Sequence, residues 1–194
     1  MTADDVGRAR SPLSGRLDDL ARAATASGGA VSLEHVPFLA QVDVRVEPRL
    51  ALRAPYPLPT GPNTARESGD RAALWLAPDE WLVLGRPGAE HDIVAELGSA
   101  FACEHHSVVD VTSNRVAIEI SGPAAKEVLA SGCPLDFHPR RWGFESCAQT
   151  LLADTQVILQ ERQTSTGILV RSSFSEHLLD WLIDAVDVHR RPAK

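Results

Sequence analysis

Cysteine is scarce in this chain. Cys103, Cys133 and Cys147 are the only three, and no two of them form a Cys-x-x-Cys pair. That count and spacing argue against a disulfide framework and against a structural zinc site, so the thiols read as reduced and mostly buried. Positive charge is not concentrated either. Lys and Arg are scattered along a chain of net charge −7, with no dense basic stripe, which argues against nucleic acid as a partner. Met1–Arg10 holds no apolar signal-peptide core. No apolar run approaches the ~20 residues that would span a bilayer. A soluble, cytoplasmic protein without a membrane partner is expected.

The usual signatures of chemistry are also missing. There is no Gly-x-Gly-x-x-Gly after a strand pattern, no Gly-x-x-x-x-Gly-Lys-Ser/Thr, and no Gly-x-Ser-x-Gly. His105 and His106 are adjacent, and adjacent residues on a strand point to opposite faces, so they cannot share one metal from a regular strand. His138 follows Asp136 at i+2 and reads as a loop histidine. The expectation is that this chain carries no catalytic, cofactor-binding or metal-ligating residue.

What is present is ordinary globular composition, 44% hydrophobic and 23% charged. The segment 1–30 reads as a mobile N-terminal stretch with a short helix near Leu17–Ala26. Residues 31–188 read as a single α+β domain, with two fused ββα-type halves meeting near residue 104 as the alternative division, and 189–194 as a tail. Within 31–46, Val42, Val44 and Val46 alternate with polar residues as in a half-buried strand. The segment 54–70 is rich in proline and reads as an irregular loop, either surface or partner-docking. "AALWLAPDEWLVLG" reads as a β-hairpin turning at Pro78-Asp79, with Trp75 and Trp81 half buried. Ile93, Leu97 and Phe101 make one face of a helix. "SVVDVT" and "RVAIEIS" read as a second hairpin through Ser113-Asn114, followed by a helix from Pro123 to about Gly132. Three strands and a closing helix with Phe174, Leu178, Trp181, Leu182 and Ala185 on its core face complete a ββα-ββα-βββα order. Hairpins alternating with helices, without a parallel βαβ signature, predict antiparallel sheets covered by helices.

Two short stretches stand out. In Ser121-Gly122-Pro123, Pro suits the first helical position and Gly permits a sharp turn or a close backbone approach. The helix start is therefore either a structural joint, which the spacing favours, or an anion site for a carboxylate or phosphate. In "HPRRWGF", Arg140, Arg141 and Trp142 combine two arginines with a large aromatic outside any periodic element. That is the composition of a protein–protein anchor, and a partner interface is expected there, with Trp142 filling this chain's own core as the competing reading.

Three segments carry a resemblance: "LWLAPDEWLVLG", "VVDVTSNRVAIEISGPAAKEVLASGCPLDFHP" and "SFSEHLLDWLIDA". Over about Leu74–Ala185 the chain resembles the gamma-subunit family of heterotetrameric sarcosine oxidases, itself similar to the folate-binding aminomethyltransferases of glycine cleavage. The resemblance implies alpha, beta and delta subunits as partners, with alpha making most of the contact. It implies FAD, FMN, NAD, tetrahydrofolate and zinc in those other subunits. It implies a complex that demethylates sarcosine to glycine, forms hydrogen peroxide and passes the one-carbon unit to tetrahydrofolate. The chain departs from the transferases in lacking their paired-aspartate motif, since Asp79-Glu80 fits a turn, and their extra C-terminal domain. A non-catalytic structural subunit is the leading reading. A stand-alone folate-binding aminomethyltransferase-like protein is the alternative, and an assembly factor for iron–sulfur or tRNA chemistry is a third.

Overall fold

The structure is a computed structural model that describes residues 10–188. Met1–Ala9 and the tail 189–194 lie outside the described residues. The chain divides into two compact units. One is Phe38–Asn114 with Glu145–Ala148; the other is Arg10–Pro37, Arg115–Phe144 and the residues from Gln149 on. This differs from the single domain expected over 31–188 and from a division near 104. The reason lies in strand pairing, which joins segments far apart in sequence.

The first unit holds β2 (Ala40–Val46), a 3-10 turn (Pro48–Arg53), β3 (Ala65–Ser68), β4 (Arg71–Ala77), β5 (Glu80–Gly85), α2 (Glu90–Phe101) and β6 (His106–Asp110). Its antiparallel sheet runs β3-β4-β5-β2-β6. The Pro78-Asp79 turn closes the β4–β5 hairpin with Trp75 opposite Trp81. Apolar residues on alternate positions of β2 and the Ile93, Leu97 and Phe101 face of α2 share one core, so both periodicities bury the same surface. Trp81 is fully buried there rather than half buried. Its indole Nε1 donates to the Pro59 carbonyl at 2.7 Å, which anchors the proline-rich stretch. Leu58 is buried, and Ala65–Ser68 pairs with β4, so 54–70 is less irregular than its prolines suggest.

The second unit holds α1 (Leu17–Ala26), β1 (Ser32–Val36), β7 (Arg115–Ser121), α3 (Ala125–Gly132), β8 (Cys147–Leu152) from Gln149 on, β9 (Thr155–Glu161), β10 (Ser165–Arg171), a 3-10 turn (Ser172–Phe174) and α4 (Ser175–Val188). The sheet order is β1-β7-β10-β9-β8. β8 and β9 are joined through Ala153 (φ 50°) and Asp154 (φ 59°), the left-handed pair that a two-residue hairpin turn requires. Residues 10–30 are a built part of this unit. Leu13, Leu20 and Ala23 are buried, and Ser11 Oγ lies 2.9 Å from His35 Nε2 on β1.

The hairpin expected through Ser113-Asn114 does not form. β6 pairs with β2 in one sheet, whereas β7 pairs with β1 and β10 in the other. Neither Ser113 nor Asn114 takes the positive φ of a tight hairpin, and the Asn114 amide instead bonds the Val111 carbonyl at 2.8 Å. Likewise 31–46 is two strands broken at Phe38 (φ 54°), with β1 and β2 in different sheets. In the closing helix Leu178, Leu182 and Ala185 are buried as expected. Phe174 is not: it falls in the preceding 3-10 turn and is half exposed.

Candidate functional site

The two stretches singled out in the sequence, Ser121-Gly122-Pro123 and His138–Phe144, both belong to the second unit. Gly122 has φ +107°, which a residue with a Cβ rarely adopts. A Cβ there would stand 2.5 Å from the Ala30 carbonyl oxygen and 3.1 Å from Val31 Cα. The glycine therefore answers to two demands at once, an unusual dihedral and a backbone segment pressed against it. That same Ala30 carbonyl accepts the Ala124 amide at 3.0 Å, and the Ala125 amide bonds the Gly122 carbonyl at 3.1 Å. Two donors at the start of α3, which an anion would need, are thus taken by the chain's own backbone. The geometry is that of a joint holding α3 against the segment before β1.

At the other end of α3, Gly132 is set by a second close approach. A Cβ on it would fall 2.3 Å from Trp181 Cζ2, so the tryptophan of α4 rests on a bare backbone.

Between these glycines, Lys126 reaches a carboxylate that sequence reasoning did not single out. Lys126 Nζ donates to Glu161 Oε2 at the end of β9 and to Thr166 Oγ1 on β10 at 2.7 Å. Thr166 Oγ1 donates to the same Glu161 oxygen at 2.7 Å, and so does Trp142 Nε1, also at 2.7 Å. Glu161 is thereby a node joining α3, two strands and the His138–Phe144 loop. Phe137 meets the Trp142 ring edge-on at 5.6 Å between centroids and lies 5.9 Å below the Lys126 ammonium. No local pattern reports this arrangement, because its members are brought together only by the sheet.

This corrects the expected role of Trp142. It is 7% exposed, packed on Phe137 and hydrogen-bonded to Glu161, so the indole serves this chain's own core and is not open to a partner. Arg140 and Arg141, by contrast, are exposed. The loop that carries them is internally fixed. Asp136 Oδ1 accepts the His138 amide at 2.9 Å, and the His138 carbonyl accepts the Arg141 and Trp142 amides at 2.8 and 3.0 Å. Phe144 closes the loop 49% exposed.

Other groups flagged in the sequence are placed apart. Glu80 of the Asp79-Glu80 pair is held by Arg45 at 2.6 Å. His106 Nδ1 bonds the Glu104 carbonyl at 2.9 Å. Among the described residues, no cluster of three or more His, Cys, Asp or Glu is placed to hold a metal ion. No helix among them is long and apolar enough to cross a membrane. Cys103 is exposed, Cys133 and Cys147 are buried, and burial pushes the Cys147 thiol up to about 11.

With this geometry in view, the likenesses to known proteins fall into one pattern. Residues 49–188 match the family described as "Sarcosine oxidase, gamma subunit family". The sarcosine oxidase subunit gamma of Corynebacterium sp. (strain P-1) is 38% identical over 185 residues, covering 91% of this chain and 89% of that protein. The same subunit from an Arthrobacter species is 36% identical over 191 residues, covering 94% of this chain and 92% of the relative. Among solved structures, a chain of the heterotetrameric sarcosine oxidase from Corynebacterium sp. U-96 in complex with pyrrole 2-carboxylate superposes with a TM-score of 0.83 at 32% identity, covering 96% of this chain and 98% of that one. The glycine cleavage system aminomethyltransferase T from Bartonella henselae gives a TM-score of 0.62 at 14% identity over 87% of this chain and 49% of that one, a likeness of fold alone. The fold is thus the expected α+β, aminomethyltransferase-like arrangement of antiparallel sheets and helices. On the family match and on identities above 30% along nearly the whole length, the chain belongs to the sarcosine oxidase gamma subunit family.

Proposed function

We propose that this chain is a structural, non-catalytic gamma subunit of a heterotetrameric sarcosine oxidase acting in the cytoplasm. Its partners in this reading are alpha, beta and delta subunits, with alpha taking most of the contact. The complex oxidatively demethylates sarcosine to glycine with formation of hydrogen peroxide and hands the one-carbon unit to tetrahydrofolate. FAD, FMN, NAD, tetrahydrofolate and zinc are held by the other subunits.

The observation that carries the non-catalytic reading is the closed joint at Gly122. The helix start best suited to an anionic ligand is filled by the Ala30 carbonyl. The residues at this joint and at the Glu161 node do not fit a flavin or a dinucleotide. The node's charges are matched within the chain, and the glycine at the joint is packed against the Ala30 backbone. Arg140 and Arg141, fixed on a rigid loop, support attachment as the role. Guanidinium groups suit carboxylates across an interface.

The test is co-expression with the alpha, beta and delta subunits, followed by sizing and flavin absorbance. The chain is expected to elute with the flavin-bearing complex and, purified alone, to show no flavin band. A stoichiometric flavin spectrum in the lone chain, or zinc that survives dialysis, overturns this reading. Saturable tetrahydrofolate binding by the lone chain, followed by calorimetry, would favour the stand-alone transferase-like alternative instead.

A further inference from the structure

We propose that β6, the strand at one edge of the first unit's sheet, pairs antiparallel with β6 of a second copy of this chain, about a two-fold axis at Val108. The inference goes beyond the subunit reading and does not depend on it, because the lone chain tests it.

The ladder leaves one side of β6 open. β6 ends its sheet and pairs with β2, which pairs on its other side with β5. On the β5 side the Val46 amide bonds the Asp79 carbonyl at 3.1 Å. Backbone groups alternate along a strand, so Val42 and Val44 also face β5, while Gln41, Asp43 and Arg45 face β6. The Val111 amide, which bonds the Gln41 carbonyl at 2.8 Å, agrees with this. Asp43 and Arg45 stand opposite Val109 and Ser107. The N–H and C=O groups of His106, Val108 and Asp110 therefore point away from β2, and they take no partner among the described residues.

The other edge strands are each met by another part of the chain. At β3 the Ala65 amide bonds the Glu145 carbonyl at 2.7 Å, and just before it the Asn63 carbonyl accepts the Cys147 amide at 2.9 Å. β1 packs against α1. Beside β8 the Ala153 amide bonds the Gly132 carbonyl at 3.0 Å, and Thr150 Oγ1 lies 3.8 Å from Cys133 Sγ. The outward edge of β6 has no such cover. It also lacks the Lys, Pro or bulge by which an exposed edge is blunted. Ser107, Val109 and Asp110 are exposed, Val109 at 48%.

The sequence of β6 selects its own copy. In His106-Ser107-Val108-Val109-Asp110, antiparallel pairing centred on Val108 sets Val108 opposite Val108 and His106 opposite Asp110 at both ends. The residues so opposed are those whose backbone groups point outward, so both strands are satisfied in that register. A slip of one residue would oppose outward groups to inward ones. A slip of two would keep the backbone bonds but part the histidine from the aspartate. Both side chains have an atom left for this contact. His106 Nδ1 is committed to the Glu104 carbonyl, which leaves Nε2. Asp110 Oδ1 accepts the Thr112 amide, which leaves Oδ2, and Asp110 makes no ion pair among the described residues. Opposite charges facing each other across strands are attractive, and here the attraction occurs twice.

The experiment measures the mass of the lone full chain by light scattering over a concentration series, for wild type, Val108→Pro and Asp110→Asn. Val108→Pro removes an outward N–H that the β2 ladder does not use. Asp110→Asn keeps the acceptor for the Thr112 amide and removes the charge. Wild type is expected to pass from monomer to dimer as its concentration rises. The midpoint is expected to rise by about tenfold or more in Val108→Pro and by about fivefold in Asp110→Asn. Thermal unfolding of dilute samples checks that each variant is folded, and if Val108→Pro is not, Asp110→Asn decides alone. A wild-type chain that stays monomeric throughout overturns the proposal. So does a dimer that the folded variants form as readily as wild type, since it uses another surface. A monomeric lone chain whose Val108→Pro variant is retained less well by the co-expressed alpha, beta and delta subunits would assign the edge to a strand of one of them, and the second copy would be ruled out. The subunit reading stands or falls on its own test.

Discussion

Gly122 is where one residue decides the local backbone. Its φ of +107° is costly for any side chain, and the Ala30 carbonyl leaves no room for a Cβ. Gly122→Val is expected to destabilise the lone chain by about 2–4 kcal/mol, combining dihedral strain with a forced backbone shift. Urea unfolding checks this, and a midpoint equal to wild type would contradict it. Trp142 makes a different kind of demand. Its truncation removes a buried ring and leaves Glu161 short of a donor, so Trp142→Ala is expected to cost about 3–5 kcal/mol of stability. Arg140→Ala and Arg141→Ala, at exposed positions, are expected to stay within about 0.5 kcal/mol of wild type. Thermal unfolding of the three variants side by side separates a core tryptophan from surface arginines. The tryptophan was legible in the sequence as an oddity, since a large aromatic stood outside any period, but its covering was not. Phe137 lies five residues before it and Glu161 nineteen after, and neither spacing is a signal.

At the level of elements, what depended on near neighbours was readable. The β4–β5 hairpin, α2 and α4 each follow from a turn signal or an apolar period within a single stretch. What depended on pairing partners was not. β7 sits between β1 and β10, and nothing in "RVAIEIS" says that its neighbours come from Ser32–Val36 and Ser165–Arg171 rather than from the adjacent "SVVDVT". The helix near Leu17–Ala26 was readable, but the attachment of the segment leading into it was not, because Ser11 is tied to His35 on β1. That imidazole is buried and bonded to Ser11, and burial pushes its pKa below the ordinary histidine value. The unfolded chain therefore binds this proton more readily than the folded one. Stability is full above about pH 6.5 and is lost as the pH falls through the lowered folded value. The urea midpoint is expected to drop between about pH 7.5 and about pH 5.5, and by less in His35→Gln than in wild type. Equal drops in the two proteins would show that His35 is not part of the acid response.

For the molecule as a whole, the question is which surface is left to work outward. Carboxylates outnumber cations in this chain, and most of its described arginines are neutralised by them. Arg140 and Arg141 make no ion pair among the described residues, and they ride on a loop whose backbone is fixed by His138 and Asp136. Rigid presentation matters, because an arginine already ordered loses less freedom when it meets a carboxylate. Phe144 adds exposed apolar area to the same loop. If this loop is where a partner attaches, reversing its charge should act on association and not on folding. Arg140→Glu/Arg141→Glu is expected to unfold at the wild-type temperature as a lone chain, and to weaken binding to the alpha subunit by about 2–4 kcal/mol in a pull-down titration. The salt dependence of the remaining binding should flatten as well, since two of its charges are gone. Undiminished affinity with a normal melting temperature would remove this loop from the interface.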